Sequence, residues 1–368
     1  MTGTFYGGFR STYTGKLTGE GTFNAYTGGV RCYFNGDWSE FSGTLNIGKN
    51  NRQNKKSYDP TFMLGNTKGL PLATVNVNEK ARLDNQGKNI VVKRLGGKGA
   101  VVGSGQWIID NDENFSLTTE VGITSERKDD YGGTIAKSAS PLTKRGSGKM
   151  TVTAGNINGA LTVGGGTVTF NNAALSTLVN GAYTVTVKDT GRVVGQGLVN
   201  AVSLQKGGEL TPCGSTFVET TPGTIKCNNT INVNEGAAVN FLVNATKNST
   251  LDTKNLTFNG TLRIVIVNDA LLAEGRELKL WTVSGTFSGT PKLELSDRYT
   301  WDTSRLATEG ILVVAGQSTG VAAVKADADA CNVYDLQGRL VSRQANATST
   351  EGLRPGLYVR GGKKVVVK

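Results

Sequence analysis

The chain has 368 residues and not one histidine. That single absence removes Ser-His-Asp and Cys-His catalysis, imidazole general-base chemistry and His-ligated zinc. The four cysteines, Cys32, Cys213, Cys227 and Cys331, are spaced too widely for a zinc cluster. Cys213 and Cys227 flank a Gly/Thr/Pro-rich stretch and form a candidate disulfide if the chain is exported; unpaired thiols in turns or core are the other reading. No run of about 18 apolar residues occurs, so no membrane-spanning segment is expected. Aromatic residues make up 7% of the chain, too few for a large core built on Phe and Trp. The opening, MTGTFYGGFRSTYTG, lacks the basic start and apolar stretch of a signal peptide. If the chain is exported, Met1 is therefore expected to be an internal start or a truncation, and the chain a C-terminal piece.

Glycine is what the chain has in excess: 50 residues, roughly twice the average share. With abundant Thr, Val and Asn, it fits short strands between frequent turns and excludes a helical bundle. Lys plus Arg number 40 against 29 Asp plus Glu, a net charge of +11. The basic residues are scattered, with local groups at Lys49, Arg52, Lys55 and Lys56 and at Lys144 and Arg145. No aromatic-interleaved basic stripe accompanies them, so nucleic acid is not an expected partner. Anionic glycan and lipopolysaccharide remain open.

One idea recurs at irregular intervals: glycine, a few alternating apolar and Thr/Asn residues, then glycine or asparagine again. Gly19-Glu20-Gly21-Thr22-Phe23-Asn24, Phe41-Ser42-Gly43-Thr44-Leu45-Asn46-Ile47 and Gly148-Lys149-Met150-Thr151-Val152-Thr153 are examples. Alternation with period two places one set of side chains on each face of a strand. Met150, Val152, Leu161, Val163, Val168 and Phe170 form the expected inward set, with Thr, Asn and Lys outward. Strands so short gain stability by stacking. The expected fold is all-β: a right-handed parallel β-helix (β-solenoid) over 1–316, closed by a denser cap at about 255–316, with a β-sandwich pair, which prefers regularly spaced hairpin turns, as the competing reading. A small-residue linker, 317–330, leads to a distinct tail, 331–368.

Two stretches resemble known families. Leu142-Thr143-Lys144-Arg145-Gly146-Ser147-Gly148-Lys149-Met150-Thr151-Val152-Thr153-Ala154-Gly155-Asn156 resembles the autotransporter-associated β-strand repeat, with Lys149 where that repeat has Thr. The tail, YDLQGRLV followed by GLRPGLYV and a basic β-branched end, resembles the C-terminal sorting domain of the type IX secretion system of Bacteroidetes-like bacteria. The resemblance implies a small β-sandwich-like sorting domain. Its first motif would be Tyr334, Asp335, Gly338 and Arg339; its second, Gly356, Leu357 and Tyr358, ending in Lys363, Lys364 and Lys368. It also implies the type IX machinery as partner, a secreted or outer-membrane surface location, and loss of the tail or its exchange for a lipopolysaccharide anchor.

Candidate chemistry is sparse. Parallel β-helices include polysaccharide lyases that use carboxylate-bound calcium with an Arg or Lys base, and so need no histidine. Asp110, Asp112 and Glu113 cluster, as do Glu126, Asp129 and Asp130 beside Arg127 and Lys128; solvated turns are the competing reading. The glycine runs Gly96-Gly97-Lys98-Gly99 and Gly164-Gly165-Gly166 match no phosphate loop and read as corners. Trp38, Trp107, Trp281 and Trp301, with exposed tyrosines, are either sugar-stacking platforms or interior plugs. No catalytic residue, cofactor or metal is expected. The composite expectation is an exported passenger or adhesin-like structural protein. The alternatives are a lyase-like β-helix enzyme and a carbohydrate-binding module.

Overall fold

The computed structural model describes residues 2–7, 10–27, 31–49, 60–123, 127–128, 134–135, 138–152, 156–171, 178–179, 181–214, 219–318, 332–343, 352–360 and 363–367. The chain is all-β, and most of its strands pair in parallel. A first ladder begins with Thr2–Gly7, Thr22–Thr27, Thr44–Lys49, Leu70–Val77, Ile90–Gly96 and Trp107–Asp110. It continues through Leu142–Arg145, Leu161–Val163, Thr184–Val187, Ala201–Leu204, Thr224–Val233 and Thr250–Phe258. The second ladder holds Ser11–Tyr13, Arg31–Phe34, Thr61–Leu64, Arg82–Asp84, Ala100–Val102 and Glu120–Val121. A third takes over with Phe115–Ser116, Lys149–Val152, Thr167–Asn171, Arg192–Val199, Glu209–Pro212, Ala238–Val243, Thr261–Ile266 and Lys292–Glu294.

Strands of one ladder alternate along the chain with strands of another, so the chain returns to the first ladder after each excursion. Parallel neighbours stack like side chains above one another, which is why the inward columns are continuous. Leu142, Leu161, Val185, Val202, Ile231 and Leu256 form one such column, and all six are buried. The expected inward residues Met150, Val152, Leu161, Val163, Val168 and Phe170 are buried too. Each strand alone is too short to persist; burial of about 1.5–3 kcal/mol per large apolar side chain accumulates only through the stack.

Corners are made by Asn and Gly, because the chain must turn without leaving backbone groups unpaired. Asn85 is fully buried and donates from Nδ2 to the Gly105 carbonyl at 2.7 Å, while its Oδ1 accepts from the Gly87 and Gly105 N–H groups. Asn111 repeats the device, donating to the Lys93 carbonyl and accepting from the Glu113 N–H. The Gly96–Gly99 run likewise turns the chain, with Gly97 at φ +91°.

Pairing changes character late in the body. Glu277–Lys279 runs antiparallel to Ile311–Val313, and the one-turn helix Leu306–Glu309 ends at Gly310 in the left-handed region. Two compact units result: residues 1–296 with 301–315, and residues 297–300 with 316–368. The tail in the second unit is an antiparallel sheet ordered Leu340–Arg343, Asn332–Tyr334, Gly356–Arg360, Lys363–Val367. From residue 319 to its end at 330 the expected linker lies outside the described residues, as does Cys331 at the start of the expected tail.

Candidate functional site

The outward face of the first ladder carries the most regular surface chemistry of the chain. In its first four strands the register aligns Thr2, Thr22, Thr44 and Thr74 in one column. Thr4, Asn24, Asn46 and Asn76 form the next. These residues alternate with buried Ala25, Leu45, Ile47, Val75 and Val77, so period-two alternation sends them outward. The amides are linked along the stack: Asn76 Nδ2 donates to Asn46 Oδ1 at 2.9 Å, Asn46 Nδ2 to Asn24 Oδ1 at 2.8 Å, and Asn24 Nδ2 to Thr4 Oγ1 at 3.3 Å. The column ends at Gly96, where a Cβ would meet Asn76 Oδ1 at 2.6 Å. Beside it Tyr6 packs against Tyr26, ring centroids 5.9 Å apart and ring planes tilted by 34°, and Tyr6 is 43% exposed.

Farther along, Thr143, Thr162, Thr186, Ser203, Asn232 and Thr257 form a second uncharged column, which Ser288 continues. Between the two fields lies a charged belt. Arg145 pairs with Asp110 at 3.0 Å, Lys93 with Glu113 at 3.0 Å, and Arg94 also with Glu113. The third ladder carries charge on its outer face as well. Arg263 reaches Glu294 at 2.6 Å and Glu209 at 3.3 Å, and Arg192 joins Glu209 to Glu219. The Arg263 guanidinium holds the Glu294 carboxyl below its ordinary range.

The acidic clusters weighed as calcium ligands against solvated turns have other work where they are described. Asp110 and Glu113 are in the ion pairs just described, and Asp112 accepts from the Ser147 N–H at 2.7 Å and from its hydroxyl at 2.8 Å. Glu126, Asp129 and Asp130 lie outside the described residues. Among the described residues no three His, Cys, Asp or Glu side chains converge as a metal site.

Three tryptophans are interior plugs: Trp38, Trp107 and Trp281 are at most 3% exposed. Trp107 donates its indole N–H to the Val102 carbonyl at 3.1 Å and Trp38 to that of Gly15. Trp301 is partly buried. Among the described residues Tyr6 is the one exposed aromatic side chain, and no local motif announced its pairing with Tyr26.

Lys144 also departs from the sequence reading, which grouped it with Arg145 on the surface. It is fully buried, because it occupies an inward position in register with Ile109 and Val163. Its ammonium donates to the carbonyls of Asn111 at 3.3 Å and Gly146 at 3.0 Å, and to that of Arg145. Burial holds its pKa below the ordinary lysine value.

Cys213 and Cys227 are not joined: both are buried free thiols, as is Cys32. Cys213 extends a strand of the third ladder and packs with Val194, Leu242 and Val267. Cys227 sits mid-strand, paired in register with Val199 and Thr253, its Sγ donating to the Asn200 carbonyl at 3.0 Å. Each thiol is committed to its own surroundings. Burial pushes Cys213 up to about 11 and Cys32 up to about 12. In a Cys331→Ser variant, thiol reagents should find no reactive cysteine in the native chain and three after denaturation; a 213–227 cross-linked peptide would contradict this.

In the tail, Asp335 organises the turn between the first two strands. Its carboxylate accepts from the backbone N–H groups of Gln337 at 3.0 Å and Arg339 at 2.9 Å, and pairs with Arg339 Nε at 2.7 Å. These contacts, the Arg339 N–H foremost, hold its pKa low. Gly338 takes φ +78°, which the turn requires. Tyr334 Oη accepts from Asn332 Nδ2 at 3.3 Å, and Tyr358 Oη donates to the Arg354 carbonyl at 3.0 Å. Gly356, Leu357 and Tyr358 lie opposite Val367, Val366 and Val365, and Lys363 and Lys364 open the last strand opposite Arg360 and Val359. Lys364 is exposed, and Lys368 lies outside the described residues. The two motifs thus meet in one sheet, with Tyr334 paired to Val359. No helix among the described residues is long and apolar enough to cross a membrane. In comparisons with known proteins, no family model and no curated protein matches this chain.

Proposed function

We propose that the chain is an exported passenger: a right-handed β-solenoid over residues 1–316 that works as a surface rod or adhesive surface. Residues 331–368 are its type IX sorting signal. The stepwise return of the chain to the same parallel ladders supports the solenoid, and right-handed crossovers are the rule for parallel connections. The observation that carries the address reading is the tail's Asp335-centred turn. There hydrogen bonds and an ion pair join Asp335 to Arg339 across Gly338 in one turn of an antiparallel sheet. A turn so fixed gives export machinery a preformed surface, at lower ordering cost than a flexible peptide. The protein then resides in the medium or on the outer-membrane surface, with the tail removed or replaced by a lipopolysaccharide anchor.

The test is a reporter fused to residues 317–368 and expressed in a host with type IX machinery. The fusion should reach the cell surface or medium, and Asp335→Ala should reduce export several-fold while leaving the reporter folded. Retention of the intact fusion inside the cell, or export in a strain lacking the machinery, would refute the assignment. The uncharged first-ladder fields favour a second reading, a carbohydrate-binding module, for the same rod.

A further inference from the structure

We infer that the N-terminal field of the first ladder binds a neutral, extended, β-linked polysaccharide lying along the stack. This rests on the adhesive reading of the rod and names its ligand class. The field comprises the Thr2–Thr22–Thr44–Thr74 column, the Thr4–Asn24–Asn46–Asn76 column and the Tyr6–Tyr26 pair.

Three features select this occupant. The first is charge. Despite the net +11 of the chain, neither column carries a charged side chain until Arg94 follows Thr74. An acidic polymer gains nothing from such a surface; a neutral one loses nothing by covering it. The second is hydrogen-bonding capacity. Asn46 uses one N–H on Asn24 and one oxygen lone pair for Asn76. One donor and one acceptor site remain on that amide. Such donor–acceptor sites, repeated beside threonine hydroxyls, match the hydroxyl edges of a sugar chain. The amide-to-amide bonds fix these groups in place beforehand, so binding orders few new rotamers.

The third feature is spacing. Successive strands of a ladder lie about 4.8 Å apart, close to the advance of one sugar along an extended β-linked chain. A polymer aligned with the stack therefore meets an uncharged pair at each sugar, Thr/Thr on the first strand and Thr/Asn on the next three. The tyrosine pair beside the columns, with Tyr6 exposed and Tyr26 half-buried, offers apolar ring surface to the C–H groups of the sugars. A ligand bound through many equivalent weak contacts gains affinity with length, so short oligosaccharides bind less tightly than long ones.

The experiment uses the purified full chain with insoluble cellulose and a linear β-1,4-mannan, cellohexaose in calorimetry, and alginate as the acidic comparison. A neutral polymer should deplete the protein from solution, and high salt should not reverse it. Tyr6→Ala combined with Tyr26→Ala should weaken binding about tenfold at an unchanged melting temperature, because neither ring is in the buried core. Thr44→Lys, which places a charge within the field, should weaken it as well and shows the effect independently of the aromatics. The inference is overturned if no neutral polymer is retained, if both variants bind like the parent, or if alginate alone is retained in a salt-reversible way. Because the assay needs no export, a protein that binds but is not secreted would sink only the address reading. One that is secreted but does not bind would sink only this inference.

Discussion

Replacing Gly195 by alanine is expected to destabilise the stacked body by on the order of 4 kcal/mol. Gly195 stands at φ +127°, a region costly for any residue with a Cβ. The added methyl would also lie 2.1 Å from the Phe170 carbonyl oxygen of the neighbouring strand. Neither conflict has an inexpensive escape. Arg192 to Gly195 pair with Glu209–Pro212, whereas Gly197 to Val199 of the same strand pair with Ile225–Cys227. The glycine thus sits where one strand passes from the third ladder to the first, and relaxing it would shear both registers. Gly15→Ala is the matched control, since nothing lies within 4 Å of the position its Cβ would take. Urea unfolding of the two variants should show a large loss for Gly195→Ala and almost none for Gly15→Ala. Equal midpoints would refute the account. Because stacked repeats lose stability locally, hydrogen exchange should accelerate first in Thr167–Asn171 and Glu209–Pro212.

Lys144→Ala is expected to cost about 4 kcal/mol, and Lys144→Met about 2 kcal/mol. The difference separates two effects. Methionine keeps the volume of the inward column between Ile109 and Val163 and removes only the ammonium. The carbonyls of Asn111, Arg145 and Gly146 then lose a charged donor. Against that loss stands relief from desolvating an ammonium, which in many proteins makes an apolar replacement nearly neutral. Here the carbonyls win, because they stay at a tight glycine corner after the lysine is gone. Gly146 there has φ +72°, and the Gly148 N–H already bonds to the Asn111 carbonyl. Alanine adds a cavity to that loss. Thermal and urea denaturation of the three proteins checks the order wild type > Met > Ala. A methionine variant as stable as the parent would mean the ammonium contributes nothing net.

Lys144 also shows why part of the chain is illegible as sequence. The Leu-Thr-Lys-Arg run ends in a charged pair, and charge alone sends both residues outward. Register decides otherwise: Thr143 follows Ile108 on the outer face and Lys144 follows Ile109 on the inner one. The same logic applies to Trp38, whose indole is consumed by the Gly15 carbonyl of the preceding circuit, at a sequence separation no local window spans. Cys213 and Cys227 are near one another in sequence and still unbonded, because the chain changes ladders between them. The acidic clusters were ambiguous on paper. Asp112 acquires its role only when Ser147 arrives above it.

Period-two alternation with glycine and asparagine punctuation was enough to determine an all-β chain and to select Met150, Val152, Leu161, Val163, Val168 and Phe170 as core, because side-chain direction in a strand is a local property. In the tail, Gly338 marks its turn in the same local way, whereas the bonds of Asp335 to Gln337 and Arg339 appear only in the structure. Tertiary structure alone decided what lies above what. It aligned Thr22 with Thr44 and Thr74, drew Asn24, Asn46 and Asn76 into one hydrogen-bonded column, and placed Tyr6 against Tyr26. Those neighbours are separated by irregular lengths of chain, and parallel register is set by the combined fit of many buried side chains rather than by any one segment.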